Sequence, residues 1–193
     1  MKGRKSFITG AAKGIGLSVA RAFAAEGAAV ALADISEEES KKRSLEIKET
    51  YGVDAIGVKC DVGDTISVQN AIKETSEAFN GLDTIACMAA TLTERLDVVD
   101  LPEDEWNRTL NVNLTGSFLV CKHGIPFLRE AGGGSIILTA SQMGQVAWPG
   151  STAYCTTKGG ILQLVKGIAL DHKDENIRCN SISPVSYTHL TLP

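Results

Sequence analysis

A chain of 193 residues that is 44% hydrophobic and 22% charged can bury one sizeable core and fits about one domain. Its net charge of -4 gives no broad positive field, which argues against nucleic acid as the main partner. No apolar run is long enough to span a membrane, and the basic start Met1 to Lys5 leads into a short strand and a glycine rather than a signal-peptide core, so the expected compartment is the cytoplasm.

In chain order, β-like and helix-like runs alternate from the first residues. Ser6 to Gly10 reads as strand, Gly16 to Glu26 as helix, Ala28 to Ile35 as strand, Glu37 to Tyr51 as helix and Ala55 to Val62 as strand. Asp64 to Phe79 then reads as helix, Leu82 to Ala90 as strand and Glu103 to Glu130 as one long helix. Ser135 to Ser141 reads as strand, Ala153 to His172 as helix and Ile177 to Ser183 as a sixth strand. Strands separated by helices of this length pair in parallel through right-handed crossovers, so the fold class is α/β with a doubly wound parallel sheet. Gly132 to Gly134 is a helix-to-strand turn, and the charged run Glu37 to Arg43 is a solvated helix face. The widely spaced Cys60, Cys87, Cys121, Cys155 and Cys179 contain no Cys-x-x-Cys, so they suggest buried thiols rather than a disulfide framework or a metal site. Cys155, beside Tyr154, is the one expected to be more exposed.

The first strand runs into Thr9-Gly10-Ala11-Ala12-Lys13-Gly14-Ile15-Gly16, followed by a helix, the context that turns a glycine-rich loop into a phosphate cradle. Gly10 turns the chain, Gly14 lets backbone N–H groups approach a pyrophosphate, and Gly16 lets helix and strand pack closely. Asp34, closing the second strand, is placed to accept from adenosine ribose hydroxyls and to repel a 2'-phosphate, favouring NAD over NADP. Lys13 argues the other way, because a cation in the loop can pair with that phosphate. The alternative for Asp34 is a strand-end carboxylate capping Ser36 or a nearby helix. Asp61 and Val62, closing the third strand, are expected to border the adenine; the alternative is an ordinary strand-end Asp.

Asn111-Val-Asn113-Leu-Thr-Gly116 is a poor helical sequence inside the long helix. Asn113 can open that helix locally and hold a water for proton relay; the alternative is that both asparagines bond neighbouring backbone. Ser141 ends the fifth strand at its carboxyl end, where open α/β sheets bind ligands. Tyr154 and Lys158 are four apart on a helix and so share a face. A cation about 5 Å from the phenol, at an effective dielectric near 20, would contribute roughly 3 kcal/mol, or about two pKa units toward phenolate.

Taken together, Thr9-Gly-x-x-x-Gly-Ile-Gly16, Asp61, Asn113, Ser141 and Tyr154-x-x-x-Lys158 resemble the short-chain dehydrogenase/reductase family over residues 3 to 184. The resemblance implies a Rossmann-type fold and an NAD(P)-dependent oxidoreductase acting on a small alcohol or ketone. Tyr154 would be the proton donor or acceptor, Lys158 would lower its pKa and hold the nicotinamide ribose, Ser141 would orient the substrate oxygen and Asn113 would support the water relay. Beyond the glycine loop, Asp34, Asp61 and Val62, the cofactor would meet Ala89, Ala90, Tyr154, Lys158 and Pro184. The helices carrying Asn113 and Tyr154 would form the interfaces of a homodimer or homotetramer. Alternatives are a non-catalytic dinucleotide-binding protein and an inactive fragment of such an enzyme.

The chain departs from the family pattern twice. Cys87-Met88-Ala89-Ala90 stands where the family has Asn-Asn-Ala-Gly; a thiol cannot supply the amide's hydrogen bonds, and Ala90 adds a methyl near the expected nicotinamide. After Pro184, residues 185 to 193 read as a non-native tail resembling a translated sequencing adapter, with a short natural tail as the alternative. Residues 1 to 184 are then an incomplete dinucleotide-binding catalytic domain without its last strand and substrate lid, and the sixth strand is left as an uncovered edge.

Overall fold

Six parallel strands form one sheet in the order β3-β2-β1-β4-β5-β6 in a computed structural model that describes residues 1–185. The strands are β1 (Lys5–Thr9), β2 (Ala29–Asp34), β3 (Ala55–Lys59), β4 (Thr84–Cys87), β5 (Gly134–Thr139) and β6 (Ile177–Ile182). The helices are α1 (Gly14–Ala25), α2 (Glu37–Tyr51), α3 (Thr65–Phe79), α4 (Glu103–Leu110), α5 (Gly116–Glu130) and α6 (Thr152–Asp171). Apart from Val185, the tail expected over 185 to 193 lies outside the described residues. No helix among the described residues is long and apolar enough to cross a membrane.

Alternate residues of the strands feed two cores, one on each face of the sheet. Phe7, Ala31, Val58, Ile85, Ile136 and Leu138 pack with residues of α3, α5 and α6, whereas Ile8, Val30, Leu32 and Ala86 pack with α1 and with Ile47 of α2. Burial on both faces explains why the strands read as continuous apolar runs rather than alternating ones. Among the described residues β6 pairs only with β5 and forms one edge of the sheet, and its Arg178 and Asn180 are exposed.

Three expectations about the elements are corrected. The expected strand Leu82 to Ala90 shrinks to Thr84–Cys87, and the expected Ala55 to Val62 stops at Lys59. The residues beyond line a cleft and do not extend the ladder. The long helix is broken in the middle: Asn111–Thr115 form a π-turn between α4 and α5, so the residues least suited to a helix are where it widens.

The strand order reverses between β1 and β4, and open α/β sheets bind ligands at the carboxyl ends beside such a reversal. The chain is fastened there: Thr9 Oγ1 accepts from the backbone N–H groups of Met88 and Ala89, both at 3.1 Å. Gly10, at φ +63°, passes so close that a Cβ would lie 2.8 Å from Ala89 Cα, and a Cβ on Gly16 would overlap the carbonyl oxygen of Gly10. Gly16→Ala is therefore expected to cost about 3 kcal/mol, read as a lowered Tm or urea midpoint; an unchanged midpoint would contradict this packing.

Candidate active site

The glycine loop opens into a cleft of about 500 Å³. It brings together Gly10, Lys13, Ile15 and Gly16 from the loop, Asp34 from β2, Asp61 and Val62 beyond β3, and Ala89 and Ala90 beyond β4, all expected from the sequence. Ile35, Ser36, Cys60, Met88, Thr91, Arg108 and Val112 also line it, and their sequence carried no signal because apolar or single polar residues acquire a site role only through placement. Gly14 opens α1 at φ +58° with nothing near its would-be Cβ. Helix α1 begins with no side-chain cap and no acidic residue in its first turn, so its amino-terminal N–H groups are left to an anion. These features fit a dinucleotide's pyrophosphate.

Asp34 is buried, at 9% exposure, and it caps Ser36, as the strand-end alternative expects, while also bonding the glycine loop. Oδ2 accepts from Ala12 N at 3.1 Å, fixing the glycine loop, and Oδ1 accepts from Ser36 N at 3.1 Å. Lys13 is exposed. Asp61 Oδ1 accepts from Gly63 N at 2.9 Å, and its own N–H donates to Ser67 Oγ at 2.9 Å.

Asn113 sits in the π-turn at 1% exposure. Its Oδ1 accepts from Thr91 N at 2.7 Å, while Nδ2 donates to Thr91 O at 3.0 Å and to Thr157 Oγ1 at 3.3 Å. Its carbonyl accepts from Ser117 Oγ at 2.9 Å. The side chain thus joins the segment after β4 to α6, far from it in sequence, rather than bonding neighbouring backbone. Asn111 reaches Gly63 O at 3.3 Å.

β5 ends at Thr139, and Ser141 opens a short 3-10 turn, Gln142–Gly144, with its Oγ accepting from Met143 N at 3.2 Å. That turn packs on α6 so tightly that a Cβ at Gly144 would lie 2.6 Å from Lys158 O. The contact holds Ser141 in hydrogen-bonding reach of Tyr154 on α6. Lys158 is 2% exposed, and its Nζ donates to Thr139 O at 2.7 Å. Pro184 accepts from Gln142 N at 3.4 Å; Pro184, Tyr154 and Lys158 stand outside the wall of the cleft.

The electrostatics correct one expectation. Lys158 does not pull Tyr154 toward phenolate: burial pushes the phenol's pKa up, and only the hydrogen bond with Ser141 opposes it. Nζ lies over the ring, 5.5 Å from its centroid, and is tied to Thr139 O. Burial lowers the Lys158 pKa from 10.5 to about 8, so the ammonium is losing its charge in the alkaline range where the phenol would ionise. Ser141→Ala removes the opposing bond, so the Tyr154 pKa is expected to rise further. An ultraviolet difference titration should show the phenol midpoint moved to higher pH, and a downward move would contradict this account.

The departure after β4 is absorbed by the fold. Cys87 is buried in the core, paired in register with Thr9, and Thr9 Oγ1 supplies the anchoring there. Cys60, Cys121 and Cys179 are likewise free and buried, and Cys155 is half-buried. Among the described residues no cluster of histidine, cysteine and carboxylate side chains could hold a metal ion.

A doubly wound parallel sheet with a glycine-lined cleft at its reversal and a Ser, Tyr, Lys group beside it defines the class of nicotinamide-dependent oxidoreductases. Residues 10–190 match the family model described as Enoyl-(Acyl carrier protein) reductase. The chain is 37% identical over 184 residues to 2,5-dichloro-2,5-cyclohexadiene-1,4-diol dehydrogenase LinX of Sphingobium indicum, covering 95% of this chain and 73% of that one. It is 39% identical over 186 residues to trans-4-hydroxycyclohexanecarboxylate dehydrogenase of Sinomonas cyclohexanicum, covering 94% and 71%. A crystal structure of NAD+-bound xylitol dehydrogenase superposes with a TM-score of 0.92 at 35% identity, covering 95% of this chain and 70% of that one. The chain belongs to the short-chain dehydrogenase/reductase family.

Proposed function

We propose that this chain interconverts an alcohol and a carbonyl on a small molecule, with NAD as cofactor and Tyr154 as the group that moves the proton. The observation that carries the reading is the placement of buried Lys158 and Asn113, with Ser141 and Tyr154, at the same end of the sheet as the glycine-lined cleft. When bound, the nicotinamide accepts or supplies the hydride. Ser141 orients the substrate oxygen toward the Tyr154 hydroxyl. Lys158 spends one of its three N–H donors on Thr139 O and keeps the others for ribose hydroxyls. Asn113 fixes the segment that walls the cleft and supports the water relay. Pro184 caps the turn after Ser141.

The preference for NAD rests on Asp34. Each of its oxygens accepts one backbone N–H, which leaves lone pairs for ribose hydroxyls and a negative charge against a 2'-phosphate. Asp34→Asn is expected to move the NADPH-to-NADH affinity ratio about tenfold toward NADPH, measured by fluorescence titration with both; an unmoved ratio would remove Asp34 from cofactor selection. The relatives that act on a cyclic diol, a hydroxycyclohexane carboxylate and xylitol support polyols and cyclic secondary alcohols as the substrate class. A panel of these with NAD tests it, and turnover confined to an enoyl thioester would favour the chemistry in the family model's description. Tight NADH binding with no turnover on any member would favour a non-catalytic dinucleotide-binding protein. The cytoplasm fits five unpaired cysteines. A homodimer or homotetramer through α5 and α6 is supported by Phe118, which stays 45% exposed on α5, and sedimentation tests it.

A further inference from the structure

Beyond Cys87 the chain leaves the sheet and runs along the cleft, with Met88, Ala89, Ala90 and Thr91 forming one wall. Thr91 is bonded through every polar group it has. Asn113 takes its N–H and C=O at 2.7 and 3.0 Å, and Arg108 Nη1 donates to its Oγ1 at 2.5 Å. Arg108 Nη2 also donates to Leu92 O at 3.2 Å. Glu105, one helical turn back on α4, receives Arg108 Nε at 3.1 Å and Nη2 at 2.7 Å, a two-point contact that fixes the guanidinium plane. Met88 and Ala89 are held through their backbone N–H groups on Thr9 Oγ1, and Met88 Sδ accepts from Thr139 Oγ1, but none of Cys87, Met88 and the two alanines has a side-chain amide or hydroxyl to hold the segment further along at Thr91.

We propose that Arg108 is a positioning residue for the cofactor: braced by Glu105, it holds Thr91 and Leu92 in the conformation that shapes the cleft wall. The inference rests on the reading of the cleft as a nicotinamide dinucleotide site. Arg108 is half exposed, so its ion pair adds little to global stability. Its effect is local, because a freed segment must be ordered each time the cofactor binds, and that cost appears in the dissociation constant. Only a guanidinium reaches Glu105, Thr91 Oγ1 and Leu92 O at once; a lysine at 108 is a single point donor.

The test compares the wild-type chain with Arg108→Met, Arg108→Lys and Thr91→Val. It uses hydrogen exchange of the peptide spanning Thr91 and Leu92 in the cofactor-free protein, NADH titration by fluorescence, and Tm. Arg108→Met and Thr91→Val are expected to exchange faster in that peptide and to raise the NADH dissociation constant about tenfold, with Tm nearly unchanged. Arg108→Lys should fall between them and the wild type, and the Arg108→Met, Thr91→Val double variant should be no worse than the weaker single one. Unchanged exchange, or a Tm loss with protection falling everywhere, overturns the proposal. A wild-type chain that binds no NADH overturns the dinucleotide reading. Faster local exchange in the variants would then show that the failure lies in the cofactor and not in the bracket.

Discussion

Tyr154→Phe is expected to lower kcat about a thousandfold, the scale of a lost general acid or base, while NADH affinity and Tm stay close to wild type. The ring remains in place over Lys158, so packing on α6 is kept and only the hydroxyl and its bond with Ser141 are removed. Loss of one hydroxyl with the ring left in place is too small a change to unfold the chain. Because burial raises the Tyr154 pKa, the phenolate needed to take a proton from an alcohol is scarce at neutral pH. Wild-type oxidation should therefore accelerate with rising pH, whereas reduction, which uses the protonated phenol, should be flat through neutrality. Normal turnover by Tyr154→Phe, or oxidation that slows with rising pH between neutrality and pH ~9, would remove Tyr154 from the chemistry.

Lys158→Met should separate stability from activity. A lysine whose pKa falls from 10.5 when exposed to about 8 in the fold disfavours folding by about 3 kcal/mol wherever it is charged in both states. The unfolded chain binds the extra proton between those two values, so this penalty is present in full below pH about 8 and fades as the pH rises toward 10.5. Methionine fills similar space without the charge, and its drawback is a Thr139 carbonyl left without the ammonium, about 1 kcal/mol. The net expectation is a variant more stable at pH ~7 by about 2 kcal/mol, roughly 3 °C in Tm for each kcal/mol, whose Tm no longer climbs at alkaline pH. Turnover should fall at least a hundredfold. A buried functional cation retained at a cost in stability is the general trade between activity and stability. A Tm that drops in Lys158→Met and keeps its alkaline rise would show that the ammonium is stabilising where it lies.

The local devices were legible in the sequence. Gly10, Gly14 and Gly16 follow a strand and open a helix, Asp34 closes the next strand, and Tyr154 and Lys158 are one turn apart on a helix; each is a matter of spacing along a short stretch of chain. The alternation of apolar runs also determined the layered parallel sheet, because crossovers of this length allow little else. The opened helix at Asn113 was half legible: the residue types marked a distortion, but not that its amide would clamp Thr91 on one side and Thr157 on the other.

Only the tertiary structure decided the sign of the Tyr154 shift. Spacing places a cation one turn from the phenol, but its effect depends on burial, which weakens the charge of Lys158 and penalises the phenolate of Tyr154. Likewise, Cys87 lacks an amide's hydrogen bonds, and Thr9 and Asn113 hold the segment it leads into. Arg108 carries no signal in the sequence, and it reaches the cleft because the fold brings β4's end across α4. Sequence determines what is set by periodicity within one element; dielectric surroundings and contacts between distant segments exist only once the chain is packed, and these decide the charge states and the shape of the site.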